Sequence, residues 1–92
     1  MLKSFRRIVQ GYSGSTRVFE VLSHRIRRGI IKVLGEKGKG SFADLTKNLN
    51  IDYAGALTFH LKKLVGFIAK THDGYYELSE PGLNVFSLLK AP

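Results

Sequence analysis

Apolar residues return along this chain at helical spacing, and at one point the spacing switches to that of a hairpin. Leu57, Leu61 and Leu64 stand at i, i+4 and i+7, the stripe of a half-buried α-helix. Asp52 is placed to cap the helix start by accepting orphan backbone N–H groups. Gly66, just past Val65, suits the left-handed conformation that ends a helix. The runs Phe67–Thr71 and Tyr75–Ser79 are β-prone. The Asp73-Gly74 pair between them is a strong local signal for a two-residue hairpin turn. The pattern predicts a helix over 53–65 followed directly by a hairpin over 67–79.

Upstream, Ser23 looks like the cap of a helix over 24–34 that buries Ile26, Ile30, Val33 and Leu34 and stops at Gly35. A shorter apolar segment, Thr16 to Leu22, precedes it. Ser41 with Asp44 three residues on has the spacing of a capping box, and starts a helix over 42–49 that buries Phe42, Leu45 and Leu49. Asn50-Ile51 is the turn into the next helix. Downstream, Glu80-Pro81-Gly82 breaks the chain and Leu83 to Leu89 forms a last apolar helix. At the other end, residues 1–10 set Leu2, Phe5, Ile8 and Val9 against Lys3, Arg6, Arg7 and Gln10. A helix that short is marginal alone in water and needs a partner for its apolar side. The expected fold is mainly α with a small β-hairpin (α+β), in the layout of a winged helix-turn-helix. It forms one domain over 1–92: an N-terminal helix and linker (1–15), a core (16–79) and a C-terminal helix (80–92).

Charge directs attention to the side of the 53–65 helix that faces away from the leucines. The chain carries a formal net charge of +8 with a pI of about 10.1, which points towards a polyanion partner. Residues 1–40 hold ten Lys/Arg and two acids, whereas 41–92 hold five of each. Turning about 100° per residue puts Gly55, Phe59, Lys62 and Gly66 opposite the leucine stripe, with Ala56, Thr58 and Lys63 on its shoulders. The face is small near its start, basic near its end, and free of carboxylates after Asp52. Arg25, Arg27 and Arg28 crowd the first turns of the 24–34 helix, where the macrodipole disfavours cations. Either an external anion such as a phosphate offsets that repulsion, or the three are simply solvated.

Other chemistry is excluded or thinly supported. The chain has no cysteine, so disulfides and thiolate metal sites are ruled out. Glu36–Gly40 lacks the spacing and terminal Lys-Ser/Thr of a phosphate-binding loop. His24, His60 and His72 are far apart in sequence with no matching carboxylate spacing, so no catalytic constellation, metal or cofactor is expected. His60 reads as a packed helix residue. No apolar run approaches the roughly 20 residues of a membrane span, and no cleavage pattern follows residues 1–10. A soluble, cytoplasmic protein without a membrane role is the expectation.

Laid out this way, the chain resembles the ArsR-like winged-helix transcriptional regulators, in particular their small archaeal branch. Leu22-Ser23-His24 with Arg27 and Ile30-Ile31 is similar to the family's opening helix. Phe59-His60-Leu61-Lys62-Lys63-Leu64 is similar to its recognition helix. Gly55, Leu64-Val65-Gly66 and Asp73-Gly74-Tyr75-Tyr76-Glu77-Leu78-Ser79 resemble the archaeal form, over about residues 18–86 in all. The resemblance implies a homodimeric regulator of double-stranded DNA, with helix 53–65 in the major groove and hairpin 67–79 as the wing. The expected DNA contacts are Arg27, Arg28, Ser41, Tyr53, Ala54, Ala56, Thr58, Phe59, Lys62, Lys63, Lys70 and His72. Leu2, Phe5, Ile8, Val9, Val85, Phe86 and Leu89 are the expected dimer interface. Metal-sensing members carry a cysteine motif where this chain has Phe42-Ala43-Asp44-Leu45-Thr46, so sensing by that motif is excluded. With Tyr53, Ala54 and Ala56 early in the helix, base-edge hydrogen bonds should be few, left to Tyr53, Thr58, Lys62 and Lys63. Thymine-methyl and backbone contacts should then matter more. Two other readings stand beside this one: a low-specificity architectural DNA-binding protein, and a winged helix that binds an acidic protein partner.

Overall fold

The computed structural model describes residues 18–91. Its elements run α1 (Arg25–Lys37), α2 (Phe42–Asn48), α3 (Ala54–Lys63), β1 (Ile68–Lys70), β2 (Tyr76–Leu78) and α4 (Glu80–Lys90), with residues 18–22 helical ahead of α1. The described residues are mainly helical with one two-stranded antiparallel hairpin, the α+β class that the pattern predicts. Ile30, Ile31 and Leu34 of α1 form the middle of the core. Val21, Leu45, Leu57, Leu61, Leu64, Phe67 and Val85 close around them, and Ile68, Tyr76 and Leu78 of the hairpin pack on the edge. Helix α1 is the common platform, packed against α2, α3, α4 and β2.

The ends of α1 differ from the pattern. The cap position is His24 rather than Ser23, and its side chain makes no capping bond. The Ser23 hydroxyl instead donates to the Glu20 carbonyl at 3.1 Å, closing the helical turn before α1. The helix does not stop at Gly35 but runs on to Lys37. It ends at Gly38, whose φ is 89° and whose N–H donates to the Leu34 carbonyl at 2.8 Å. Gly35 serves packing: a Cβ there would lie 2.3 Å from the Phe86 ring of α4. Seating an aromatic ring outweighs the roughly 1 kcal/mol that a mid-helix glycine costs.

Helix α2 starts as the pattern predicts. The Ser41 hydroxyl accepts the Asp44 N–H at 3.0 Å, and the Asp44 carboxylate accepts the Ser41 N–H at 2.9 Å. These bonds hold the Asp44 carboxyl below the ordinary carboxylate range, the bond from the Ser41 backbone first. Its end is a Schellman motif. Asn50 takes a left-handed φ of 54°, the Ile51 N–H reaches the Thr46 carbonyl at 2.9 Å, and the Asn50 N–H reaches Lys47 at 3.3 Å. This cap sets the angle at which the chain turns into α3.

The hairpin pairs Ile68 with Leu78, Ala69 with Glu77 and Lys70 with Tyr76. Its loop has three residues rather than the two expected from Asp73-Gly74. Thr71 and Tyr75 still pair, the Thr71 N–H donating to the Tyr75 carbonyl at 2.7 Å, and the Gly74 N–H closes a turn on Thr71 at 3.0 Å. Only Gly74 of the loop has positive φ, at 89°. A two-residue type I′ turn requires positive φ at Asp73 as well, so the chain takes a turn followed by a glycine bulge. On its other side Tyr76 bonds Gly40, N–H to carbonyl in both directions at 2.8 and 2.9 Å. The Gly38–Gly40 loop thereby adds a short third edge to the hairpin.

Helix α4 begins at Glu80, so Glu80-Pro81-Gly82 is its first turn and not a break. A proline there loses no intrahelical bond, and the Ser79 hydroxyl caps the turn by accepting the Gly82 N–H at 3.3 Å. Gly82 is buried against the hairpin, where a Cβ would meet the Phe67 carbonyl oxygen at 2.0 Å.

Candidate nucleic-acid interface

Helix α3 is shorter than the 53–65 span. Its cap position is Tyr53, so Asp52 stands one residue too early to cap it, and no side chain bonds the start. Gly66 has the expected positive φ, 97°, but lies two residues beyond the end position, Leu64. Leu57, His60, Leu61 and Leu64 face the core. Turned outward are Ala54, Thr58, Phe59, Lys62 and Lys63, with Gly55 and Ala56 half-buried. Tyr53 is 73% exposed and Phe59 52%. The Tyr53 ring lies over Gly55, where an added Cβ would come within 2.7 Å of it. The Lys63 ammonium stands 5.5 Å from the centre of the Phe59 ring, within cation–π range.

The arginine cluster divides, with Arg27 buried, Arg28 half-buried and Arg25 exposed. Arg27 is 6% exposed and points inward. Its Nε donates to His60 Nδ1 at 3.1 Å, and its guanidinium lies 5.9 Å from the Phe59 ring centre. It is therefore a brace between α1 and α3 rather than an anion contact, because a buried guanidinium needs an internal acceptor. Arg28 is half-buried, and its Nη1 donates to the Leu22 carbonyl, which offsets the charge locally. Arg25 is exposed. Burial first, then the charges of Arg27 and His24, holds His60 below the ordinary histidine range. Neutral His60 accepts from Arg27 at Nδ1, which leaves its proton on Nε2.

A groove of about 590 Å³ runs from α1 to the start of α3, edged by Arg25, Arg28, Lys32, Asn50 and Tyr53. Lys32 was not among the expected contacts. Its signal was legible, since residues 25, 28 and 32 share one helical face by their i, i+3, i+7 spacing. The Ser41 hydroxyl is engaged in the α2 cap and half-buried, so the structure gives it a local role instead of a free contact.

On the hairpin, Lys70 and His72 are both exposed, and the Lys70 ammonium lies 5.7 Å from the Tyr76 ring centre. Asp73, whose charge would repel phosphate, is engaged twice. The Thr71 hydroxyl donates to its carboxylate, and the Lys39 ammonium stands 3.6 Å from it. The Thr71 bond first, with Lys39 adding to it, holds the Asp73 carboxyl below its ordinary range. Lys39 also lies 4.7 Å from the Tyr75 ring centre. The sequence alone gave no reason to join residue 39 to the hairpin tip.

The expected dimer face is altered. Val85 is 1% exposed inside the core, and Phe86 and Leu89 pack on it from the edge. The apolar surplus of α4 is absorbed by α1, chiefly through the Phe86 ring over Gly35. Leu83 and Leu88 are the large apolar residues that α4 exposes. At about 100° per residue they point some 140° apart and form no single stripe. Leu2, Phe5, Ile8 and Val9 lie outside the described residues, as do Lys3, Arg6, Arg7 and Arg17.

Among the described residues, no group of three or more His, Cys, Asp or Glu side chains is placed to hold a metal ion. No helix among them is long and apolar enough to cross a membrane. No curated protein and no solved structure matches the chain. One sequence family does match, over residues 15–89, which takes in every element described above except the last residue of α4. The chain belongs to that family, a domain of unknown function (DUF7347).

Proposed function

We propose that this protein is a winged helix-turn-helix transcriptional regulator of ArsR-like type, a non-enzymatic cytoplasmic homodimer that binds double-stranded DNA. Helix α3 enters the major groove, and the hairpin Ile68–Leu78 is the wing. The outer face of α3 carries the proposal. Thr58, Phe59, Lys62 and Lys63 are exposed there with no carboxylate among them, and the hairpin follows at once with Lys70 and His72 exposed. A merely solvated helix face tends to intersperse acids with bases, which also supports the helix through i, i+4 pairs. The groove beside α3 is edged by Arg25, Arg28 and Lys32 against a single acid, Asp52, which leaves its lining net basic.

One observation favours the architectural reading instead: α3 carries no Arg, Asn or Gln, the side chains that most often read base edges. Competition binding of the full chain separates the two. Duplexes enriched from random DNA should bind about a thousandfold or more tighter than bulk DNA if the protein is a specific regulator. A ratio near unity would replace that reading with the architectural one. No DNA binding at low salt would reject both and leave an acidic protein as the partner.

A further inference from the structure

We infer that α3 selects DNA by apolar contact with the 5-methyl group of thymine, and that Phe59 is the residue that reads it. The inference rests on the proposed DNA-binding role and adds what is read. In the major groove, guanine is read by Arg or Lys and adenine by Asn or Gln. Cytosine is read by Asp or Glu, and thymine by an apolar side chain against its methyl group. Helix Ala54–Lys63 contains none of Arg, Asn, Gln, Asp or Glu. Of its two lysines, Lys63 has its ammonium over the Phe59 ring at 5.5 Å. Thr58 and Lys62 remain as polar readers on this face, and Phe59 is the large apolar side chain of α3 exposed beside them.

Phe59 is built for that contact. It stands in the middle of the outer face, with the small Ala56 at i−3 and, over Gly55 at i−4, the exposed ring of Tyr53 as a second apolar surface beside it. Lys62 and Lys63 follow at i+3 and i+4, where they attract the phosphates on either side of a groove. The ring is 52% exposed, a large apolar surface left facing water. It is also steadied from inside. Arg27 lies 5.9 Å from the ring centre, is 6% exposed, and is tied to His60 at 3.1 Å. A ring fixed in place before binding loses little side-chain entropy when a partner covers it.

The test changes the DNA and leaves the protein intact. Duplexes enriched by the full chain from a random pool are resynthesised with deoxyuridine for thymidine. This removes the methyl groups and keeps every base-pair hydrogen bond. Affinity should fall about fourfold for each methyl contacted, the factor for burying one apolar carbon. Phe59→Ala should bind both duplexes alike. Phe59→Leu should keep part of the discrimination, and Lys62→Ala should weaken both duplexes while keeping their ratio. Equal affinity of the unaltered protein for the two duplexes would overturn the thymine reading and leave DNA binding standing. Full discrimination in Phe59→Ala would overturn the role of that residue. No binding to the pool or to either duplex would overturn both proposals.

Discussion

Replacing Gly82 by alanine tests how α4 is seated on the hairpin. The new Cβ would lie 2.0 Å from the Phe67 carbonyl oxygen, 3.0 Å from its carbon and 3.2 Å from Leu78 Cβ. Ordinary contact begins near 3.5 Å, so α4 and the hairpin must separate by about 1 Å or more. The obstacle is backbone and has no rotamer to yield. The same carbonyl accepts the Ser79 N–H at 3.0 Å, and the Ser79 hydroxyl donates to the Gly66 carbonyl at 2.6 Å. Loosening these bonds costs roughly 1 kcal/mol each. Partial withdrawal of Val85 from the core costs a share of the 1.5–3 kcal/mol, roughly, that its burial contributes. Against this stands a gain of about 1 kcal/mol in helix propensity. The expected net loss is about 2–4 kcal/mol, in the upper part of the range for overpacked cores. In a domain of this size it should lower the Tm by about 10–30 °C. Thermal and urea denaturation followed by circular dichroism measure it, with Gly29→Ala as the control. There the clash, 2.6 Å, is with a terminal methyl of Leu49 that can rotate away, so stability should stay within about 1 kcal/mol of the parent. A Gly82→Ala protein as stable as the parent would refute the reasoning.

Other outcomes follow from the site. The double variant Lys62→Ala, Lys63→Ala should fold normally and bind DNA more weakly, its log–log salt slope smaller by about 0.9 per phosphate contact removed; unchanged affinity would remove α3 from the interface. Because His60 is held below the ordinary value of 6.5 in the folded protein, the unfolded chain takes up a proton that the folded one resists. Stability should be full above that value and fall as pH drops through it, by at most about 1.4 kcal/mol per unit. His60→Gln should flatten the fall between about pH 6.5 and 5, a window above the ranges of Asp44 and Asp73; an unaltered profile would show that another group is responsible. Sedimentation at micromolar concentration should give a dimer for the full chain and a monomer or weaker dimer without residues 1–10, and a clean full-length monomer would refute the homodimer.

Period and turn chemistry carried most of the architecture in the sequence. The leucines of α3, the Ser41–Asp44 box and the hairpin strands were all legible because each depends on residues within a few positions of one another. What misled were residues whose role is set across the fold. Gly35 and Gly82 look like punctuation in a local window, yet one makes room for Phe86 and the other for the Phe67 carbonyl. Arg27 looks like part of a cationic cluster, but its acceptor lies 33 residues away. Asp52 failed for a smaller reason, a shift of one residue at a helix start, where boundaries are least determined. At the site, the exposed face of α3 followed from the leucine stripe by geometry alone. The link between Lys39 and Asp73 did not, since nothing local joins a loop after α1 to the hairpin tip.

The bond pair between Gly40 and Tyr76 joins residues 36 apart in the chain, and this bears on how the molecule folds and varies. Closing such a loop costs about 3 kcal/mol in chain entropy. The hairpin should therefore dock late, after α2 and α3 have formed through their local caps. Everything between the two residues, α2 and α3 included, is an excursion that returns to its point of departure. Because closure entropy grows only slowly with length, the excursion can lengthen at its exposed turns with little penalty. The platform of α1, β2 and α4 has no such freedom. Length changes should accumulate at 72–74, the exposed tip of the hairpin, and be rare at 38–40, where the return is anchored.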